Sequence, residues 1–315
     1  MRKRPLGNTE IEVSELSLGT WGLSGDGYGP VPEAEVDRVL DRALEVGIDL
    51  FDTADVYGNG AMERRLGARL PAGTTYIVTK IGTDLEASPP RKRFDLDLLR
   101  PAFERSRERL GRDKLDVVLL HNPSTAALAR SESFDFLKEL KRLGALRTWG
   151  VSAGSAQVAQ AALDHGAEVI ELAYNVFCAG DLHEVAGAVA GAGAAVLARS
   201  VLAHGLLAGQ WSKEREFYPG DHRVNRWTPE ELRQRVEQLD ALRPLVGGEV
   251  LSLRAAALRY VLANQVVTSA VLGPRSVAQL DQLVREAGSA PPYLRDTALA
   301  ELSARLRAFG VEASS

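Results

Sequence analysis

One cysteine, Cys178, among 315 residues rules out an intrachain disulfide, so nothing ties the chain to an oxidising compartment. A basic surplus is missing as well. Lys and Arg number 38 against 42 Asp and Glu, a net charge of −4 that gives no footprint for nucleic acid. Long hydrophobic runs are also missing: the longest mostly apolar stretch, residues 185–198, is interrupted by glycine and too short to cross a bilayer. The charged opening Met1-Arg-Lys-Arg-Pro5 has no apolar segment behind it and is not expected to be a secretory signal. No Gly-x-Gly-x-x-Gly opens a helix; Gly191-Ala-Gly193 lacks the third glycine and leads into a strand, so a Rossmann domain has no support. The expectation is a cytoplasmic protein with no nucleic-acid or membrane partner and no readable signal of oligomeric state.

What is present is ample apolar material, 45% of residues, arranged as short runs that alternate with helical periodicity. Ile48-Asp-Leu-Phe-Asp-Thr-Ala54, Tyr76-Ile-Val-Thr-Lys80 and Asp116-Val-Val-Leu-Leu-His121 are aliphatic or β-branched and closed by loop formers, as buried parallel strands are. Between them, Val36, Val39, Leu40, Ala43 and Leu44 share one helical face, and Gly47 supplies a stop. Strands are expected at 16–19, 48–52, 76–80, 116–121, 148–152, 169–173, 195–200 and 269–273. Eight strand–helix units without a linker predict one α/β domain over residues 1–315, a closed (β/α)8 TIM barrel. An N-terminal β-hairpin turning at Gly7-Asn8 plugs one end, and extra C-terminal helices and loops complete the chain. The irregular segment 204–228, with Trp211, Phe217, Tyr218 and Trp227, reads as a lid or pocket wall.

In such a barrel the site lies at the C-terminal strand ends, which gathers Asp52, Lys80 and His121 with the loop residue Tyr57. That set suits carbonyl reduction. A carbonyl accepting a hydride develops negative charge on oxygen and needs a proton donor. The tyrosine can donate, provided a cation lowers its pKa from about 10, and Lys80 is the candidate cation. Asp52 would compensate the buried ammonium, and His121 would orient the carbonyl. Taken singly, each has a plainer reading: Asp52 as a loop cap, Tyr57 as turn packing, Lys80 as a rim lysine, His121 as a satisfied structural histidine.

The strings Phe51-Asp-Thr-Ala-Asp-Val-Tyr-Gly58 with Glu63 following, Val78-Thr-Lys80, Leu119-Leu-His-Asn-Pro123 and Gly150-Val-Ser152 resemble the aldo-keto reductase family, from Leu6-Gly7 to about Leu283. The resemblance implies a barrel fold, a catalytic tetrad of Asp52, Tyr57, Lys80 and His121, and NADP(H) as cofactor with a small-molecule carbonyl substrate and no metal. It also implies cofactor contacts at Gly19, Thr20, Trp21, Asp52, Ser152, Glu171 and Arg199. Later contacts are Ser200, Leu202, Gly273, Arg275, Ser276, Gln279 and Gln282. Arg275 and the helix start at Ser276 suit the 2′-phosphate of NADP. Besides Gln282, where an asparagine is usual, and Asn122, where an aromatic residue often stands, three positions at the nicotinamide end depart from the family pattern. Ala153 stands where an asparagine is usual, Glu171 where glutamine is, and Arg199, able to stack its planar guanidinium on nicotinamide, where an aromatic ring is. Trp21, Tyr28 and Asn122 are candidates for the substrate mouth. Two other readings stay open: a catalytically weak nicotinamide-binding redox sensor, and a phosphate-substrate barrel enzyme using Lys80 as a Schiff-base or general-base residue.

Overall fold

The computed structural model describes residues 1–311. Eight parallel strands close into a barrel: Leu16–Gly19, Leu50–Asp52, Tyr76–Ile81, Leu115–His121, Leu146–Ser152, Val169–Ala173, Ala195–Arg199 and Val267–Leu272. Each pairs with its successor, and the eighth returns to the first through Ala270 and Leu16. All eight expected strands are present, several beginning or ending one or two residues away from the expected limits.

Alternation along the strands separates two apolar environments. Outward residues such as Phe51, Ile77, Val118, Leu120, Ile170 and Val196 pack under the helices. The helix Glu33–Glu45 buries the expected Val36, Val39, Leu40 and Ala43, and Gly47 ends the turn at φ +83°. Inward residues Leu50, Val78, Val117, Leu119, Val169, Ala195 and Leu197 form a separate cluster with Leu6, Ile11 and Val13 of the N-terminal hairpin. The hairpin, Lys3–Pro5 against Glu12–Ser14, therefore plugs the N-terminal end of the barrel. Its turn needs glycine twice over, since Gly7 has φ +60° and a Cβ there would lie 2.6 Å from the Gly193 carbonyl.

The extra elements sit outside the eight-fold repeat. Helices Pro229–Gln238 and Asp296–Ala308 are joined through Leu239, Leu302 and Leu306 to a third apolar cluster beside the barrel. Residues 204–228 begin in a 3-10 segment, Ala203–Ala208, in which His204 and Gly205 are left-handed, and carry no further regular structure. There Trp211 packs edge to face against Phe217 and Trp227, with the Arg223 guanidinium 4.8 Å from the Phe217 ring centre. Tyr218 takes no part in this and is 82% exposed. Among the described residues no helix is long and apolar enough to cross a membrane.

Candidate active site

The inward series that starts with apolar residues ends in polar ones. Two positions beyond Leu50, Val78, Leu119, Val169 and Leu197 come Asp52, Lys80, His121, Glu171 and Arg199. Strand alternation alone thus sends five ionisable side chains into the C-terminal mouth.

The sixth, Tyr57, arrives by a loop. Thr53 N–H donates to Val78 O at 2.8 Å and Asp55 N–H to Lys80 O at 3.1 Å, so the chain leaves the second strand still clasped to the third. It then turns back, with Tyr57 N–H on Ala54 O at 3.1 Å and Gly58, at φ +57°, donating to Asp26 Oδ2 at 2.7 Å. Behind it, the fully buried Glu63 accepts from Thr79 Oγ1 at 2.6 Å and from Arg109 Nη1 at 3.1 Å, while Arg109 also reaches Asp55 O at 3.3 Å. The result places Lys80 Nζ 5.4 Å from the Tyr57 ring centre and the Tyr57 and His121 rings 6.2 Å apart, edge to face.

Lys80 is 1% exposed and donates to Asp52 Oδ2 at 2.5 Å and Thr53 O at 3.0 Å, with Glu171 Oε2 3.6 Å away. Burial works against its ammonium, yet Asp52 and Glu171 hold it charged above the ordinary lysine range. Burial pushes Asp52 up to about 7, opposed by Lys80 and reinforced by Glu171. Burial also raises the Tyr57 phenol above its ordinary value; Lys80 and Arg199 pull down, while Asp52 and Glu171 push up. Lys80 acts on the phenol in the expected direction, but burial, with Asp52 and Glu171 behind it, outweighs that pull, so Tyr57 is not made unusually acidic. His121 is held well below the ordinary histidine range by burial and by Lys92, Lys80 and Arg199, and is neutral.

These side chains open into a cavity of about 850 Å³, in the range of ligand sites. All four tetrad residues line it. So do Gly19 and Trp21 from the first strand's end, Ser152, Glu171, Arg199, Ser200 and Leu202 from the middle strands, and Gly273, Arg275, Gln279 and Gln282 from the last loop and helix. Thr20 and Ser276 do not. The buried Thr20 hydroxyl donates to Asp52 O at 2.9 Å, and Ser276 Oγ caps its own helix by accepting from Gln279 N at 3.3 Å. The wall expected from residues 204–228 includes His204, Gly205, Ala208, Gln210 and Arg223. Over it, Trp21, Tyr28, His222 and His204 pack ring against ring, and His222 N–H donates to Gly27 O at 2.9 Å, tying the two roof loops together. Sequence reading missed Arg223, Arg254 and His204; the left-handed turn that aims His204 inward, φ +59°, has no signature in its residue type.

Three buried polar atoms around the mouth have no hydrogen-bond partner among the described residues: Glu171 Oε2, Arg199 Nε and His121 Nδ1. An orphaned acceptor and an orphaned donor on cavity-lining side chains fit an amide-bearing ring such as nicotinamide, which can satisfy both. Arg199 is oriented by donating to Ala153 O at 3.1 Å. Among the described residues no cluster suits a metal ion.

A closed parallel barrel with ionisable residues and a deep cavity at the carboxyl ends of its strands defines the class, a (β/α)8 barrel protein with its site at the C-terminal mouth. Residues 15–289 match the sequence profile of the Aldo/keto reductase family. The chain belongs to that family. It is 27% identical over 307 residues to the NADH-specific methylglyoxal reductase of Escherichia coli K12, covering 90% of this chain and 93% of that one. It is 30% identical over 295 residues to the L-galactose dehydrogenase of Arabidopsis thaliana, covering 89% and 86%. Among solved structures, an aldo-keto reductase from Bacillus halodurans in its holo form superposes with a TM-score of 0.80 at 25% identity, covering 100% of this chain and 97% of that one. A glycerol dehydrogenase from Gluconobacter oxydans shares the fold at a TM-score of 0.86, with 24% identity and coverage of 99% and 97%. Membership supports an oxidoreductase of the carbonyl-reducing kind, and small carbonyl substrates fit the family.

Proposed function

We propose that the chain works as one domain that reduces an aldehyde or ketone to an alcohol at the expense of a reduced nicotinamide dinucleotide, with Tyr57 as the proton donor. The observation that carries this reading is the convergence of Tyr57, Lys80, Asp52 and His121 on one cavity that continues to Gln279 and Gln282. When bound, a reduced nicotinamide supplies a hydride to the carbonyl carbon. Glu171 and Arg199 would hold its carboxamide and ring, and Gln279 and Gln282 its far end. Tyr57 gives its phenolic proton to the carbonyl oxygen. The Lys80 ammonium faces the phenolate left behind, and Asp52 keeps that ammonium charged and in place. His121 orients the oxygen. Its Nδ1 has no protein acceptor, so a proton on Nε2 is the favoured tautomer. A phenol held above its ordinary pKa stays protonated near neutrality, so the proton is in place; it is also a weaker acid, and the Lys80 ammonium has to stabilise the phenolate as the proton leaves.

The Schiff-base alternative fares worse, because a lysine kept charged by Asp52 and Glu171 is not a nucleophilic amine. A redox sensor without turnover gains no specific support. Asp26, Asn122, Gln210 and His204 beside Trp21 and Tyr28 give the mouth both hydrogen-bonding groups and flat faces, which suits a small oxygen-rich carbonyl compound. The single Cys178 and the need for a reduced dinucleotide suit a cytoplasmic setting. The expectation of NADPH rested on Arg275 and the helix start at Ser276; Ser276 caps that helix as expected, but Arg275 is engaged with the roof loop and the first helical amide with Glu35. One relative is named NADH-specific, so membership of the family does not decide the dinucleotide.

The test is oxidation of NADH and NADPH against a panel of aldehydes and ketones, with wild type and Tyr57→Phe side by side. Turnover is expected to drop by roughly two to four orders of magnitude in the variant while dinucleotide binding is kept. Equal turnover in both proteins would overturn the assignment.

A further inference from the structure

Where Arg275, Gln279 and Gln282 line the cavity, the wall adjoins three groups suited to a phosphate: the first turn of the helix Val277–Ala287, the Ser276 hydroxyl and the Arg275 guanidinium. Each already has a partner within the chain. Val277 N–H, the free amide that an anion at this helix start would use, donates to Glu35 Oε1 at 3.0 Å. Glu35 comes from the first helix, Glu33–Glu45, and is held in position by Arg38, whose Nε donates to Oε2 at 3.0 Å. Its carboxyl is kept below the ordinary glutamate range by the Val277 amide and by Arg38, so it is an anion at neutral pH. Arg275 reaches away from the helix to the roof loop, where Nε donates to Gly22 O at 3.2 Å and Nη2 to Gly29 O at 2.8 Å and Pro30 O at 3.1 Å. Its own amide donates to Gln279 Oε1 at 2.8 Å.

We propose that Glu35, seated on the helix start where a 2′-phosphate would dock, makes this chain select NAD(H) over NADP(H). The inference rests on the dinucleotide reading of the cavity given above and deepens it. A 2′-phosphate would have to displace a carboxylate from Val277 N–H and tolerate that carboxylate nearby, a like-charge juxtaposition that opposes binding. Recruiting Arg275 would cost the loop 22–30 its three donor contacts, and that loop roofs the cavity through Gly27 and His222. A ribose with a free 2′-hydroxyl meets neither obstacle, and a carboxylate is a good acceptor for a hydroxyl.

The experiment is equilibrium titration of NADH and NADPH, followed by quenching of protein fluorescence, on wild type, Glu35→Gln and Glu35→Ala, with 2′,5′-ADP and 5′-AMP as fragments lacking nicotinamide. Thermal melts of all three proteins check folding; Glu35 lies at a partly exposed helix start, so the variants are expected to melt like wild type. Wild type is expected to bind NADH at least about tenfold more tightly than NADPH. Glu35→Ala, which frees both Val277 N–H and Arg38, is expected to tighten NADPH and 2′,5′-ADP by about tenfold while NADH and 5′-AMP stay within about twofold. Glu35→Gln falls between, because it keeps an acceptor and loses the charge. Tighter binding of NADPH than of NADH by wild type, or a ratio unmoved in both variants, overturns the role of Glu35 and leaves the proposed reaction standing. Failure of either dinucleotide to bind any of the three proteins removes both.

Discussion

Asp52 and Asp55 lie three positions apart at the end of the second strand, and burial pushes both carboxyls up to about 7. Their situations differ in what answers the burial. Asp52 has the Lys80 ammonium at 2.5 Å; Asp55 has an Oδ1 with no partner among the described residues, and Glu63 nearby adds to its shift while Lys92 and Arg109 only partly offset it. Asp55 does not line the cavity, so its strain bears on stability without entering the proposed chemistry. Its folded pKa of about 7 exceeds the ordinary 3.8, so the folded chain holds the proton more tightly than the unfolded one between those values. The stability contributed by this group is therefore complete below about pH 3.8 and is lost as pH rises through about 7. Asp55→Asn removes that loss. The variant is expected to be more stable than wild type at pH 8, by up to about 4 kcal/mol, with the difference shrinking steadily as pH falls towards about 4. Paired thermal melts across that range check it; a variant that melts below wild type at pH 8 would mean the Asp55 charge is useful, with Arg109 as its effective partner.

At the scale of elements, the fifth and sixth strands meet closer than any side chain allows. Gly150 pairs with Val169, and a Cβ on Gly150 would stand 1.7 Å from the Val169 carbonyl oxygen. Backbone cannot yield there as a flexible side chain could, so Gly150→Ala must pry apart the strands that deliver Ser152 and Glu171. A loss of about 3 kcal/mol is expected from such overpacking, with weakened dinucleotide binding. Gly154→Ala, where a Cβ meets nothing within 4 Å, is the control and should melt like wild type. A glycine in a strand looks the same in sequence whether it is a tolerated gap or a point of contact, and only the neighbour decides. The strands themselves were legible because an all-buried parallel strand such as Leu115–His121 carries an apolar run, Val117 to Leu120, and its parity then names the inward residues. Their beginnings were less legible: Leu146 is followed by the exposed Arg147 and by Thr148, and Val267 by Thr268 and Ser269, so polar residues inside the strands conceal where pairing starts. The partners of Arg275 and Val277 were not legible at all. Glu35 lies 242 positions before Val277, and Gly29 lies 246 before Arg275, so nothing local announces either bond.

Across the whole molecule, the barrel interior is divided along its axis. Its lower part is filled by Leu50, Val78, Val117, Val169 and the hairpin residues Leu6, Ile11 and Val13, and its upper part by the charged mouth. The same eight strands serve both ends, so a change at the bottom reaches the mouth only by moving a strand. Interiors this closely packed resist such movement until they unfold. Leu6 is fully buried in the plug and does not line the cavity, which makes it the position to separate the two ends. Leu6→Ala is expected to cost about 2–5 kcal/mol and lower the melting temperature, while kcat and dinucleotide affinity, measured well below that temperature, stay within about twofold of wild type. Tyr57→Phe should behave in the opposite way, with melting unchanged and turnover lost. If Leu6→Ala, still folded by circular dichroism, lost activity in proportion to its stability, the plug would be setting the positions of Asp52 and Lys80 through their strands, and the division of the barrel into a supporting end and a reacting end would be wrong.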